Sequence, residues 1–394
     1  MIRAVILLGG PSRKASYGTY EQASPLFPVS GVEIIGHLLN AIQKLPNLKD
    51  FVLMGYYDKK CFQYFQEKYQ KLYGKNIRYI QEESEMGTAG GLAQNLEELF
   101  EEVEDLLVVH SDICCDLQAQ KFYDYHKNKS GVCSIMTVRV SKDESTRYGC
   151  LIKDSNTDQL IHHAEKPEQY ISNLVNCGVY IFNQTFKTTI LNVKAKKEAN
   201  LSEELQHQPY VKYIKRSSDL DKSYLSLEND VLKQAERDKV YVYEHQGFWQ
   251  SIKSTSDLLN ANRLLLQYYG QNPFIFLSPE FEIKSDGVLI HKSAKVHPSA
   301  KLGSNVVIGA GCEIGEGVRI KNSILLDGVE VKNFSFISNS IICYNSILGY
   351  WCRIEGDVQF LGPWVIVDNE LYLRNVVCLQ NCRVSKSQDG GCLM

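Results

Sequence analysis

The sequence predicts an α/β domain built on a covered, largely parallel sheet, followed by a parallel β-helix. Three observations carry this. Apolar strand-like runs alternate with amphipathic helical segments up to about residue 265. The first run, "AVILLGG", ends in the glycine pair Gly9-Gly10, the usual opening of a nucleotide site. Beyond a loop-rich linker, aliphatic residues recur every six positions.

Taken in order, "AVILL", "DFVLMGYY", "NIRYIQ", "DLLVVHSD", "SIMTVRV", "GVYIF" and "KVYVYEH" read as strands. Their near-continuous apolar character implies a sheet buried on both faces. "IIGHLLNAIQKL" and "QYFQEKYQKLY" have the 3.6-residue period of covering helices. In such sheets, ligands sit beyond the carboxyl ends of the strands. Gly9-Gly10 and "HSD" at 110–112 both fall there, so they point at one cleft. "EMGTAGGL" at 85–92 reads as a second glycine-rich turn, and 194–219 as a charged surface insertion. After the linker, Ile290, Val296, Leu302, Ile308, Ile314, Ile320 and Leu326 keep a six-residue spacing. Neither a helix nor a hairpin has that period; stacked β-helix coils do. The expected organisation is 1–270, a linker at 271–287, and the β-helix at 288–394.

Composition narrows the function. Lys and Arg number 43 against 46 Asp and Glu, a net charge of -3 that argues against nonspecific nucleic-acid binding. Twelve cysteines include no C-x-x-C pair, and Cys378 and Cys382 lack zinc-spaced partners, so buried free thiols in a reducing cytosol are expected. No run resembles a signal peptide or a membrane span. Cys392 stands one position too late for prenylation. The expectation is a cytoplasmic protein with no membrane partner.

"SPLFPVSGVEIIGHLL", "MGTAGGL", "NCGVYIF" and "GFWQSIKS" resemble the sugar-nucleotide pyrophosphorylases. The match is to the GDP-mannose pyrophosphorylase (mannose-1-phosphate guanylyltransferase) family, in its alpha-type regulatory form. The resemblance implies a Rossmann-like nucleotidyltransferase (GT-A-like) domain followed by a left-handed β-helix. It implies a nucleotide-binding set of Leu8, Gly9, Gly10, Gly87, Thr88, Ala89, Gly90 and Ser111. It implies a sugar pocket of Gly149, Glu165, Lys166, Asn176 and Gly178, with Asp112 holding Mg²⁺. A carboxylate at a strand's mouth suits a hard cation shared with phosphates. The competing role for Asp112 is a helix N-cap, for which Asp116 is the better candidate.

The family's signature loop reads G-G-x-G-T-R-x-x-P-L-T-x-x-x-P-K-P-L. Gly9-Gly10, Thr19 and Pro25-Leu26 keep its spacing, but the chemical positions differ. Ser12 stands for the third glycine, Arg13 for the threonine and Lys14 for the arginine. Tyr17-Gly18 replaces Pro-Leu, and Ala23-Ser24 replaces Pro-Lys. Ser251 stands where the family's late W-x-D motif has a second metal carboxylate. Nucleotidyl transfer depends on fixed cations and a metal to hold charge growing on phosphates. No catalytic set is intact; Lys14 keeps a charge without the planar fork of arginine, and Ser24 keeps none.

The reading is therefore a catalytically impaired subunit that binds a nucleotide sugar such as GDP-mannose. It would form homo-oligomers, or hetero-oligomers with a catalytic paralogue, and any Mg²⁺ would bind weakly without nucleotide. An active guanylyltransferase rescued by Arg13, Lys14 and Lys166 is the alternative, and an empty assembly scaffold the third reading. Alpha-type subunits commonly carry a long insertion in the β-helix, and here "CRIEGDVQFLGPWVIVDNELYLRNVVCL" runs almost without it.

Overall fold

The computed structural model describes residues 1–10, 23–207, 224–233, 239–272, 278–284 and 287–393. Signature-loop positions 12–19, with Arg13 and Lys14, lie outside the described residues, as does the end of the charged run. The chain divides into two compact units, one of residues 1–11, 38–113 and 117–249, the other of 12–37, 114–116 and 250–394.

The first unit is built on nine strands: β1 (Ile2–Gly9), β2 (Leu48–Gly55), β3 (Ile77–Gln81), β4 (Asp105–His110), β5 (Cys133–Arg139), β6 (Cys150–Lys153), β7 (Leu160–Ala164), β8 (Leu174–Asn183) and β9 (Val240–Glu244). Their order is β7-β6-β8-β4-β1-β2-β3, with β5 beside β8 and β9 beside β5. The half around β4, β1, β2 and β3 is parallel, as expected. The other half is mixed, with β9 parallel to β5. β8 runs antiparallel to β4, β5 and β6, and the short β6–β7 connection allows only an antiparallel hairpin. Ile2 to Ile6 of β1 are almost fully buried, so both faces of this sheet are covered.

The helices are α1 (Ile34–Ile42), α2 (Lys60–Tyr73), α3 (Gly87–Gln94), α4 (Ala119–Lys129), α5 (Phe186–His207) and α6 (Thr255–Gln271). α2 buries Phe62, Phe65 and Tyr69 along one stripe and stops at Gly74, whose φ of 62° makes a left-handed cap. α3 corrects the sequence reading: "GTAGGLAQ" is a helix and its first turn, not a free loop. Asp116 does not cap α4, since Gln118 holds that position. Residues 194–207 of the charged run continue α5.

In the second unit the hexad pattern becomes coils of parallel strands. Ile290 pairs with Ile308 one 18-residue coil later. The next coil is one residue shorter, so Leu325 rather than Leu326 stacks on Ile308. Ile342, Leu361 and Cys378 continue that column. A second column runs Ile314, Val331, Leu348, Val367 and Val384. Both fill the interior, which is almost wholly aliphatic. At one corner Asn305, Asn322 and Asn339 adopt positive φ and pass amide hydrogen bonds from coil to coil, ending on the Gly356 carbonyl. Asn262 of α6 donates to Asn305 at 2.7 Å, and Asn305 donates to the Leu259 carbonyl at 3.0 Å. This amide ladder ties α6 to the coils.

The cysteines among the described residues are free thiols, most of them buried. Among the described residues, no helix is long and apolar enough to cross a membrane.

Candidate functional site

Within the first unit, the ends of β1, β2 and β4 and the start of α3 present the glycine-rich segments. Gly9 has φ 68°, and a side chain on Gly55 would lie 2.5 Å from its carbonyl. Only glycine permits that approach. Leu8 is buried, and the Ser111 amide donates to the Leu7 carbonyl at 3.0 Å. At α3, Gly87 has φ 73°, and a Cβ there would meet the Leu225 carbonyl at 2.6 Å. Ala89 and Gly90 are buried. The Thr88 hydroxyl is used internally: it accepts from the Leu227 amide at 2.8 Å and donates to Glu228 at 2.7 Å.

The sugar-pocket candidates also meet. The Asn176 amide donates to the Gly149 carbonyl at 2.8 Å, and a Cβ on Gly149 would lie 2.6 Å from a Glu165 carboxylate oxygen. Lys166 reaches the other Glu165 oxygen at 2.8 Å. This pairing, together with the charges of Glu228 and Asp112, raises the Lys166 pKa above the usual lysine value against burial. The side chain of Asn176 donates to the Tyr180 hydroxyl at 2.8 Å and accepts from the Gly178 amide at 3.0 Å. A bulge between Asn176 and Tyr180, with Gly178 at φ 74°, makes that turn. Trp249 closes this side, its indole donating to the Cys177 carbonyl at 3.1 Å.

Sequence reasoning missed Glu228 at the centre. Its carboxylate takes hydrogen bonds from Thr88, Ser226 and Tyr180, with His110 Nε2 3.4 Å away. Burial works to raise its pKa. The charge of His110 and the hydrogen bonds from Thr88, its own backbone and Ser226 outweigh that and hold it below the ordinary glutamate range. The only sequence signal was "SLEND", a serine cap and two acids on an apolar run, opening a π-helical turn at Leu227–Leu232. Such turns gather at functional sites. His163 is buried beside Gly149.

Glu82 was missed too. Its amide donates to the Gly55 carbonyl, and its carboxyl sits where a side chain on Gly91 would be. Burial pushes its pKa up to about 7. The native state therefore keeps this proton to a higher pH than the unfolded chain. Stability falls as pH rises from about 4.5 to 7 and is flat above. Discounted for partial exposure, the expected loss from this group is about 1–2 kcal/mol. Urea denaturation across that range should show it, and Glu82→Gln should flatten it.

Asp112 carries no side-chain hydrogen bond or ion pair with the described residues, and no three His, Cys, Asp or Glu gather there as a ready metal cage. It offers one hard oxygen donor. A Mg²⁺ ion would need phosphate and water for the rest. His291 and His297 point their Nδ1 atoms at Ser293 and Ser299 in paired H-x-S turns of the coils. That repetition marks them as turn residues.

The nucleotidyl transferase family model matches residues 3–268, and the GMPPB C-terminal domain model matches 285–392. The chain is 37% identical to a mannose-1-phosphate guanylyltransferase regulatory subunit alpha of Dictyostelium discoideum, covering 90% of this chain and 86% of that one. It is 35% identical to a Xenopus laevis mannose-1-phosphate guanyltransferase alpha-A, covering 98% and 93%. The chain belongs to the mannose-1-phosphate guanylyltransferase family, in its alpha form. A Bacillus anthracis structure described as a putative glucose-1-phosphate thymidylyltransferase shares the fold at TM-score 0.51 and 17% identity, over 66% of this chain and 94% of that one.

The two serines at the family's charged positions lie in the second unit. Ser24 opens a tight 3₁₀ turn, its carbonyl taking the Phe27 amide. Ser251 is 5% exposed at the end of the strand Trp249–Ser251. The nearest following carboxylate, Asp257, is engaged within its own helix cap. It is held by the Ser254 hydroxyl and the Lys253 amide in the cap of α6.

Proposed function

We propose that this chain is a regulatory subunit of mannose-1-phosphate guanylyltransferase that binds GDP-mannose and has lost most of its own catalysis. The supporting observation is the convergence of Gly149, Glu165, Lys166, Asn176 and Glu228 on one locus beside Asp112 and α3, while the two family charge positions carry serine. A mannose ring offers hydroxyls to Glu165 and Asn176. Lys166 meets the diphosphate, the nucleoside lies along Gly9-Gly10 and α3, and Asp112 is the residue that would hold a Mg²⁺ ion. That ion would neutralise phosphate charge beside three carboxylates. Signalling to a catalytic paralogue completes the role.

Titration calorimetry with GDP-mannose tests the binding half. Glu165→Ala removes a charge-assisted hydrogen bond of about 1.5–3 kcal/mol, so the dissociation constant should rise roughly 10- to 100-fold. Wild-type protein that gives no heat with any nucleotide sugar sinks the sensor reading.

A further inference from the structure

Left-handed backbone at the β-helix corners is met mostly by glycine or asparagine, as at Gly317, Gly328, Asn345 and Asn381. Phe334 and Trp351 hold the same conformation, with φ of 63° and 59°. Bulky residues are strained there, and strain of that kind persists where it serves a purpose. The two occupy successive coils of one corner and stack at 4.6 Å, with Trp351 61% exposed. Beside them, Phe336 lies between the guanidinium groups of Arg319 and Arg353, at 5.3 and 5.4 Å. Exposed aromatic and arginine side chains in one cluster are the composition of an interface centre.

The charges at the two ends of this cluster decide what covers it. Arg319 pairs in register with Phe336 from one coil earlier. Glu370 follows Trp351 one coil later, its amide donating to the Tyr350 carbonyl. Among the described residues, Arg319 has no carboxylate partner and Glu370 no cationic one. A two-fold axis crossing the stack between its two coils exchanges the coil of Arg319 with that of Glu370. Each uncompensated charge then finds its opposite.

We infer that this corner is a self-complementary interface with a second copy of this chain, coils antiparallel, Phe334 on the partner's Trp351 and Arg319 on the partner's Glu370. The inference stands apart from the ligand pocket of the proposed function and goes beyond its reading of a catalytic partner. Sedimentation velocity on the full chain at micromolar concentrations tests it. Wild-type protein dimerises, and Trp351→Ala or Arg319→Glu raises the dissociation constant at least roughly tenfold. The charge swap Arg319→Glu with Glu370→Arg restores the dimer, which a misfolded variant could not do. GDP-mannose titration of the same variants reads the ligand proposal separately, since these residues lie outside that pocket. Monomeric wild-type protein, or a swap without recovery, overturns the interface. So does a complex that forms only on mixing with a catalytic guanylyltransferase subunit.

Discussion

Asp50→Ala is expected to destabilise the first unit by about 3–5 kcal/mol, the cost of breaking a buried ion pair on one side only. Arg3 is 2% exposed near the start of β1. Its guanidinium forks onto both Asp50 oxygens at 2.6 and 3.1 Å, and its third nitrogen donates to the Glu98 and Leu99 carbonyls at 2.6 Å. Those carbonyls end the short helix Leu96–Leu99, so one cation neutralises a carboxylate and caps a helix. Without Asp50 the buried guanidinium keeps two carbonyls and loses its counter-charge. Urea denaturation followed by far-UV circular dichroism measures the loss. The double change Arg3→Met with Asp50→Leu should recover much of it, because no unpaired charge remains. A single variant within 1 kcal/mol of wild type, roughly the value of an exposed pair, would show that water reaches Arg3.

The strands of this unit were legible because buried strands leave unbroken apolar runs, and all seven runs named from the sequence fall on strands. Their directions were not. A run such as "GVYIF" has the same composition whichever way it enters the sheet, and β8 enters antiparallel to β4. The hexad register slips by one residue at Leu326 for a similar reason. Spacing finds stacked coils, but Leu325 and Leu326 are both aliphatic and both buried, so the short coil does not show in the sequence. "GTAGGLAQ" reads as a loop because glycine disfavours helix; close packing of Gly87 on Leu225 and Gly91 on Glu82 explains the glycines.

In the site, residues next to each other in a motif were readable and those joined across the fold were not. Glu165 and Lys166 are adjacent and pair as neighbours. Glu228 joins Thr88 from 140 positions away, which no local pattern marks. The same bond ties the threonine of "MGTAGGL" to the start of the Leu227–Leu232 turn.

Purified alone, the chain should release pyrophosphate from GTP and mannose-1-phosphate at a rate at least roughly 10²-fold below that of an ordinary enzyme, whose turnover is about 10 per second. The argument begins with charge. Displacement at the α-phosphorus moves negative charge onto the leaving pyrophosphate, and a preorganised cation or metal must meet it. The locus in the first unit holds Asp112, Glu165 and Glu228 against Lys166, which is already paired with Glu165. That balance suits a ligand that brings its own metal more than a transition state gaining charge. Ser24 supplies no cation. Ser251, buried at a strand end, supplies no carboxylate, and Asp257 is committed to the helix cap. Each loss alone costs about 10²–10³ in rate, and the two effects need not multiply. A coupled pyrophosphate assay with excess Mg²⁺ decides the matter. The paired replacement Ser24→Lys with Ser251→Asp should raise the rate more than either change alone. Wild-type turnover of 1 per second or faster would mean that Arg13 and Lys14 supply the missing charge, and the chain would then be a working guanylyltransferase.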